Sequence, residues 1–192
     1  MLVGRHVRLE PLRRDHEAAM SAARDDAGLD GTWFTNLPVR DVCGAYIDAA
    51  IAQHDRGESL PFAVVDAVGT VVGSTRLNGR EPDVPSALIG RTWHAPRVQR
   101  TGLDTEAKLL LLAHAFEVMG FVCVGFETGV HDVQSRAVIL RSGTRQEGTP
   151  RKHKRHADGS LRDRVILSII DGEWPLVKRS LQDRLQRREA EQ

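Results

Sequence analysis

A mixed α/β (α+β) fold is predicted by three features of the sequence. Segments with apolar residues at every second position interleave with segments of helical apolar spacing along the whole chain. At 192 residues the chain is long enough for one sizeable core and short for two. No repeat, low-complexity run or linker divides it, so one domain spanning residues 1–192 is expected.

Val7 and Leu9 alternate with polar neighbours, which predicts a strand over 4–12. Helices are predicted over Asp15–Arg24 and Asp41–Gln53, the second with Val42, Ala45, Tyr46, Ala49 and Ala50 at helical spacing. Leu60–Asp66 reads as a strand, and Thr70–Leu77 as its hairpin partner across a turn near Gly69. Another strand, Ser86–Ala95, is closed by Pro96. Thr105–Met119 is the strongest helix, with Leu109, Leu112, Ala113 and Phe116 on one stripe. Phe121–Val130 is rich in strand formers, and Asp132–Arg141 is a helix stopped by Gly143. Residues 146–157 and 162–170 read as a hairpin across Asp158-Gly159. Asp171 as N-cap and Pro175 in the first turn open a charged C-terminal helix.

Composition excludes several function classes. A net charge of +1 argues against wholesale nucleic-acid binding, so no direct nucleic-acid partner is expected. Cys43 and Cys123 are too few to staple a secreted fold and form no CxxC. They point to buried free thiols in a reducing compartment, with no metal. Charges at Arg5, Arg8 and Glu10 fall where a signal peptide needs an apolar core. No run approaches the roughly 18 apolar residues of a membrane span. A cytoplasmic protein without a membrane partner is expected.

The informative segment is Gln99-Arg100-Thr101-Gly102-Leu103-Asp104-Thr105-Glu106-Ala107. A glycine loop that turns directly into a helix points free backbone N–H groups at one spot. The helix dipole adds partial positive charge there, which suits a pyrophosphate. The segment is neither a Walker loop nor GxGxxG. Taken alone, its more ordinary reading is a glycine turn with Thr or Asp capping a helix.

The run APRVQRTGLDTEAKLLLLAHAFE resembles the acetyl-CoA loop and helix of GNAT acetyltransferases, whose signature is Q/R-x-x-G-x-G/A. Gln99, Arg100 and Gly102 match it, and the TEA that follows is similar to the branch acetylating ribosomal-protein N-termini (RimJ/RimL-like). GRHVRLEPLRRDH, LPFAVVDAVGTVVGSTRL, SRAVILRSG and RDRVILSIIDGEWPLVKRSLQDRL fall where that branch would place them. The resemblance implies a GNAT fold: a twisted, mostly antiparallel mixed sheet, flanked by helices and split by a splayed parallel pair of fourth and fifth strands.

It also implies acetyl-CoA as cosubstrate. Backbone groups of Thr92, Trp93 and His94 would meet the pantetheine arm, and an N–H there would stabilise the oxyanion. Gln99, Arg100, Thr101, Gly102, Leu103, Asp104 and Thr105 would surround the diphosphate. Asp132 stands where relatives commonly have an Asn in contact with the cofactor. Ser135 and Arg136 lie on the helix that flanks the thioester sulfur in relatives, where Ser135 would donate to the leaving thiolate. The tyrosine acid of many relatives is missing, since the only tyrosine is Tyr46 in an early helix. Relatives often carry Glu where this chain has Leu88. His94 shares Leu88's face by period-two counting, so its imidazole is a candidate base near pH 7, with a structural strand-end histidine as the alternative. Asp163 is a second candidate.

Other positions depart from the pattern. Asp104 replaces Gly or Ala and would repel a diphosphate unless it turns away to cap the helix, which is the expectation. Asp132 replaces the common Asn, and Ser142-Gly143-Thr144 replaces LGF, putting hydroxyls where core residues stand. The basic run Arg151–His156 is expected to be a solvated hairpin balanced elsewhere; attraction of an acidic peptide, RNA or the CoA 3′-phosphate is the alternative. Trp33, Phe34 and Tyr46 either line an acceptor pocket or pack, and Trp93 and Trp174 read as core. The polar C-terminal segment reads as a solvated helix end, and its arginines are the candidate contact for a homodimer.

Two functions follow. One is an N-acetyltransferase moving acetyl directly to an amine (a protein N-terminus, a lysine or a small molecule) within a ternary complex, since neither cysteine is placed as a nucleophile. The other is a catalytically weakened GNAT domain serving as an acyl-CoA-binding or protein-interaction module.

Overall fold

Val7 and Leu9 point to one side of a short strand and are fully buried, as their alternation requires. The computed structural model describes residues 1–25, 43–81, 83–99, 101–156 and 158–190. The strands are β1 (Leu2–Val3), β2 (Val7–Pro11), β3 (Ser59–Asp66), β4 (Val71–Glu81), β5 (Ser86–His94), β6 (Cys123–Gly129), β7 (Arg145–Gly148), β8 (Lys154–Arg155), β9 (Leu161–Arg162) and β10 (Arg164–Ile170). The helices are α1 (Glu17–Asp25), α2 (Cys43–Asp55), α3 (Gly102–Ala113), α4 (Val133–Arg141) and α5 (Trp174–Ala190).

Eight strands form one sheet in the order β1-β2-β3-β4-β5-β6-β10-β7, and β8 pairs only with β9. Every pairing in the large sheet is antiparallel except β5–β6. These two, the predicted fourth and fifth strands, pair only from Ser86↔Cys123 to Ile89↔Phe126. Gly90–His94 and Glu127–Gly129 then run on without each other, so the sheet opens at their C-terminal ends.

Register assigns the two faces. Leu9, Val64, Gly73 and His94 fall on one side, and Ala63, Ser74 and Trp93 on the other. α3 packs on the first face against β1 and β2, while α1 and α2 cover the second against β4 and β3. One apolar cluster runs through both layers, from Met20 and Ile47 through Val64 and Leu77 to Leu111, Leu167 and Leu181. Among the described residues, no helix is long and apolar enough to cross a membrane.

Several boundaries differ from the sequence reading. The strand predicted over 4–12 is shorter, Val7–Pro11, because Gly4 N–H bonds to Val7 C=O at 2.9 Å and reverses the chain after the separate strand Leu2–Val3. α3 starts three residues early, at Gly102, and passes into a π turn at His114–Val118. Asp171 does not cap α5; its carboxylate accepts from Gly172 N–H at 2.7 Å. The C-terminal helix is not merely solvated. Val177, Leu181 and Leu185 are buried, and Glu189 pairs with Arg5 at 2.6 Å and His6 at 3.0 Å. Trp93 and Trp174 are core residues, and Trp174 stacks on Phe116 and donates to Glu117 at 2.7 Å.

Glu106 fixes the seat of α3. Its buried carboxylate accepts from the N–H groups of Arg5 at 2.8 Å, His6 at 2.6 Å and Val7 at 3.0 Å. Three charge-assisted bonds thus tie the second turn of α3 to the β1–β2 reversal.

Candidate functional site

The opening between β5 and β6 is shaped by a bulge. Gly90 lies opposite Arg76 and Trp93 opposite Ser74, so Arg91 and Thr92 together oppose Thr75 alone. Arg91 takes a left-handed φ of 54°, uncommon for a side-chain-bearing residue. The bulge removes two residues from the regular ladder beside the gap. Gly73 permits it: a Cβ there would lie 2.0 Å from the carbonyl oxygen of Trp93.

The extra residue inverts the parity on which the His94 expectation rested. His94 shares the α3 face with Ile89, while Trp93 shares Leu88's face. His94 is buried beneath α3, its Nδ1 3.6 Å from Asp104 Oδ1. Burial pushes its pKa down to about 4, against the pull of Asp104 and with a further push from Lys108. The imidazole is neutral at pH 7 but a weak base there, a correction to the expected proton affinity.

Asp104 is also reassigned. Thr101, not Asp104, caps α3: its Oγ1 accepts from Leu103 N–H at 3.2 Å and donates to Val98 C=O at 2.6 Å. Asp104 instead accepts from the buried Lys108 ammonium one turn later. Burial favours the neutral acid, yet Lys108 first and His94 next hold its pKa below the ordinary carboxylate value. Gln99 ties the loop to the strand end, donating to His94 C=O at 3.1 Å. Leu103 is buried and Thr105 half-buried in the first turns of α3. Gly102, the first helical residue, lies against Leu185 and His6. Arg100 lies outside the described residues.

On the other rim of the gap, Asp132 caps α4, accepting from Ser135 N–H at 2.9 Å. Ser135 is half-buried in the first turn, and Arg136 donates to Val130 C=O at 3.4 Å. The Ser142 and Thr144 hydroxyls are buried but bonded to the Val138 and Ile139 carbonyls, each at 3.1 Å. Asp163 accepts from Lys152 N–H at 2.8 Å, a turn-capping role. Tyr46 hydrogen-bonds Ser74 at 3.1 Å beneath the Arg76 guanidinium, 4.4 Å from its ring centroid. Trp33 and Phe34 lie outside the described residues.

Sequence reasoning missed Glu127. It stands one residue past the last β5–β6 rung, on the face opposite α3, and pairs with Arg164 at 2.7 Å. The carboxylate in the alternating strand Cys123–Gly129 was the available signal. Among the described residues, no three His, Cys, Asp or Glu side chains group as a metal site.

Residues 6–145 match the acetyltransferase (GNAT) domain family. A GCN5-related N-acetyltransferase from Brucella melitensis is 33% identical, with a TM-score of 0.85 over 96% of this chain and 84% of that one. RimJ of Mycobacterium smegmatis, solved with a CoA disulfide, is 24% identical at a TM-score of 0.80, over 92% of this chain and 88% of that one. RimL, a ribosomal L7/L12 α-N-protein acetyltransferase solved with coenzyme A, is 18% identical at 0.76, over 88% and 97%. These last two likenesses are of fold alone. No curated protein matches the chain by sequence.

Proposed function

Because the chain belongs to the GNAT acetyltransferase family, we propose that it is a cytoplasmic, single-domain N-acetyltransferase that moves the acetyl group of acetyl-CoA directly to an amine. The observation that carries this reading is the opening itself. A parallel strand pair parts after Ile89↔Phe126, next to a bulge and in front of a helix N-terminus.

The residues present suit the cosubstrate. Among the described residues, Trp93 Nε1 and His94 Nε2 are buried at the strand end without a hydrogen-bond partner. Thr92, Trp93 and His94 offer backbone groups along the gap. The first-turn amides of α3 are left without intrahelical acceptors, and Gly102 exposes backbone where the diphosphate would approach. Gln99, Arg100, Thr101, Leu103, Asp104 and Thr105 complete that loop, with Asp104 neutralised by Lys108 rather than set against phosphate. Acetyl-CoA supplies an activated acyl carbon bonded to sulfur.

In the transfer, the amine nitrogen bonds that carbon and the C–S bond breaks. The amine gives up a proton, and the departing thiolate gains one. A bulge N–H stabilises the oxyanion between these events. Ser135, with Asp132 and Arg136 on the α4 rim, donates to the thiolate. Glu127 takes the place of His94 as candidate proton acceptor, because it stands at the gap on the α1–α2 side whereas His94 is sealed under α3.

Calorimetric titration with acetyl-CoA and CoA tests the reading. Micromolar binding is expected. No heat and no shift in melting temperature would leave the alternative, a GNAT domain working through protein contacts.

A further inference from the structure

Segment 151–164 carries six cations (Arg151, Lys152, Lys154, Arg155, Arg162 and Arg164) against two acids, Asp158 and Asp163, in a chain of net charge +1. The hairpin therefore holds an excess of positive charge that the rest of the chain offsets at a distance. Both acids serve its own backbone. Asp158 accepts from Ser160 N–H at 2.9 Å, and Asp163 from Lys152 N–H at 2.8 Å. Arg151, Lys152, Lys154 and Arg155 are exposed, and among the described residues none of the four makes an ion pair. Lys154 lies directly opposite Arg162 across the β8–β9 pair. Like charges facing each other weaken a hairpin, so hairpin stability does not account for the arrangement.

The position of this charge relates it to the opening. Arg164 N–H bonds Pro150 C=O at 3.0 Å and Val130 N–H bonds Asp163 C=O at 3.4 Å, which anchors the hairpin beside the end of β6. That is the end at which β5 and β6 part. Arg164 meets Glu127 on the α1–α2 side of the gap. Arg162, two residues before Arg164 in the chain, has its pKa lowered by burial first and then by the positive charges of Arg164 and Arg91. The cations thus run from the rim of the gap out along the hairpin.

We infer that the amine acceptor is an acidic polypeptide segment, its carboxylates lying along β8–β9 while its amine enters the gap from the α1–α2 side. The inference rests on the acetyl-transfer reading and names its acceptor class. The exposed cations Arg151, Lys152, Lys154 and Arg155 are spread over a turn, where Lys152 takes a left-handed φ of 52°, and the strand β8 that follows it, more surface than the single charge of a small amine would use. Nucleic acid is disfavoured, because residues 149–164 contain no Phe, Tyr or Trp on which bases would stack.

The test compares acetyl transfer to two peptides of equal length with the same free N-terminal residue, one followed by glutamates and the other by lysines. Wild-type protein is set beside Arg151→Glu/Lys154→Glu, whose two positions lie outside the cofactor loop. The acidic peptide is expected to show about tenfold higher kcat/KM at low salt, a preference that fades as salt screens it. The double variant is expected to lose that preference while keeping its acetyl-CoA affinity. Equal or better use of the lysine peptide, or a preference unchanged in the double variant, overturns the inference and leaves acetyl transfer standing. Acetyl-CoA binding without transfer to either peptide does the same. RNA binding that depends on the hairpin cations, without any peptide preference, makes the surface a nucleic-acid site and overturns the inference too. Absence of both acetyl-CoA binding and transfer overturns the underlying reading together with it.

Discussion

Lys108 donates from a buried ammonium to Asp104 Oδ1, one turn earlier in α3, and so neutralises a carboxylate in the first turn of the proposed phosphate-binding helix. An acid N-terminal to a base at this spacing also suits the helix dipole. Lys108→Met leaves the half-buried carboxylate with the neutral His94 imidazole beside it but without its cation, which costs roughly 1–3 kcal/mol. We expect a lower melting temperature and at least about tenfold weaker CoA binding, since an uncompensated negative charge then faces phosphate. Asp104→Ala/Lys108→Met should recover both. Recovery of stability without affinity would mean that Lys108 itself holds the ligand.

His94 gives the fold a defined pH dependence. Folded, it takes its proton near pH 4 because burial disfavours the charged form; unfolded, it does so at about 6.5. Between those values the unfolded chain binds more protons, so stability falls as pH drops from about 6.5 to 4, by roughly 3 kcal/mol in all. Asp104, whose pKa lies below its ordinary value, keeps its contribution through that window and loses it only at lower pH. Thermal melts across the window should show the decline, and His94→Gln should remove most of it. A wild-type profile that is flat from pH 6.5 to 4 contradicts the burial argument.

Kinetics separate His94 from Glu127. With an amine acceptor in hand, Glu127→Gln is expected to lower kcat/KM by about a hundredfold and alter its pH profile, the range for losing a general base. His94→Gln should leave the shape of that profile intact. The opposite pattern would return proton transfer to His94.

Where sequence and structure part, the cause is local geometry that periodicity does not encode. Alternation at Val7 and Leu9, the stripe from Leu109 to Phe116 and the Gly143 stop gave the elements, and the likeness around Gln99–Gly102 gave their arrangement. Counting by twos along Ser86–His94 failed because the Arg91–Thr92 bulge adds a residue and turns His94 to the other face. Asp104 was read as a cap because Asp commonly caps helices, yet Thr101 stands earlier and already holds Leu103 N–H. Its true partner was legible at spacing four, in Lys108. Glu127 depends on the Arg164 pair across two strands distant in sequence, which a motif search along one segment does not see.

Gly102→Asp should abolish CoA binding without unfolding the protein. A Cβ at Gly102 would meet only side-chain atoms, Leu185 Cδ2 at 3.5 Å and His6 Cδ2 at 3.8 Å. An acidic residue in the first turn of a helix is otherwise favourable, so the melting temperature should hold. The added carboxylate and bulk would stand where backbone is proposed to approach the diphosphate. Titration of the folded variant decides: affinity that survives means the diphosphate lies elsewhere.

Ser135→Ala should separate binding from turnover. The α4 cap uses Ser135 N–H, not its hydroxyl, so the helix and its Asp132 bond at 2.9 Å survive the change. CoA affinity should therefore alter little. A hydroxyl that donates to the leaving thiolate acts as charge develops on sulfur, so its loss should reduce kcat more than it raises KM, by roughly tenfold to a hundredfold. Leaving-group dependence provides a sharper readout than rate alone. An acyl donor with a more acidic thiol needs less stabilisation of its thiolate and should narrow the gap between variant and wild type. An equal gap with both donors would assign Ser135 to packing rather than to the departing sulfur.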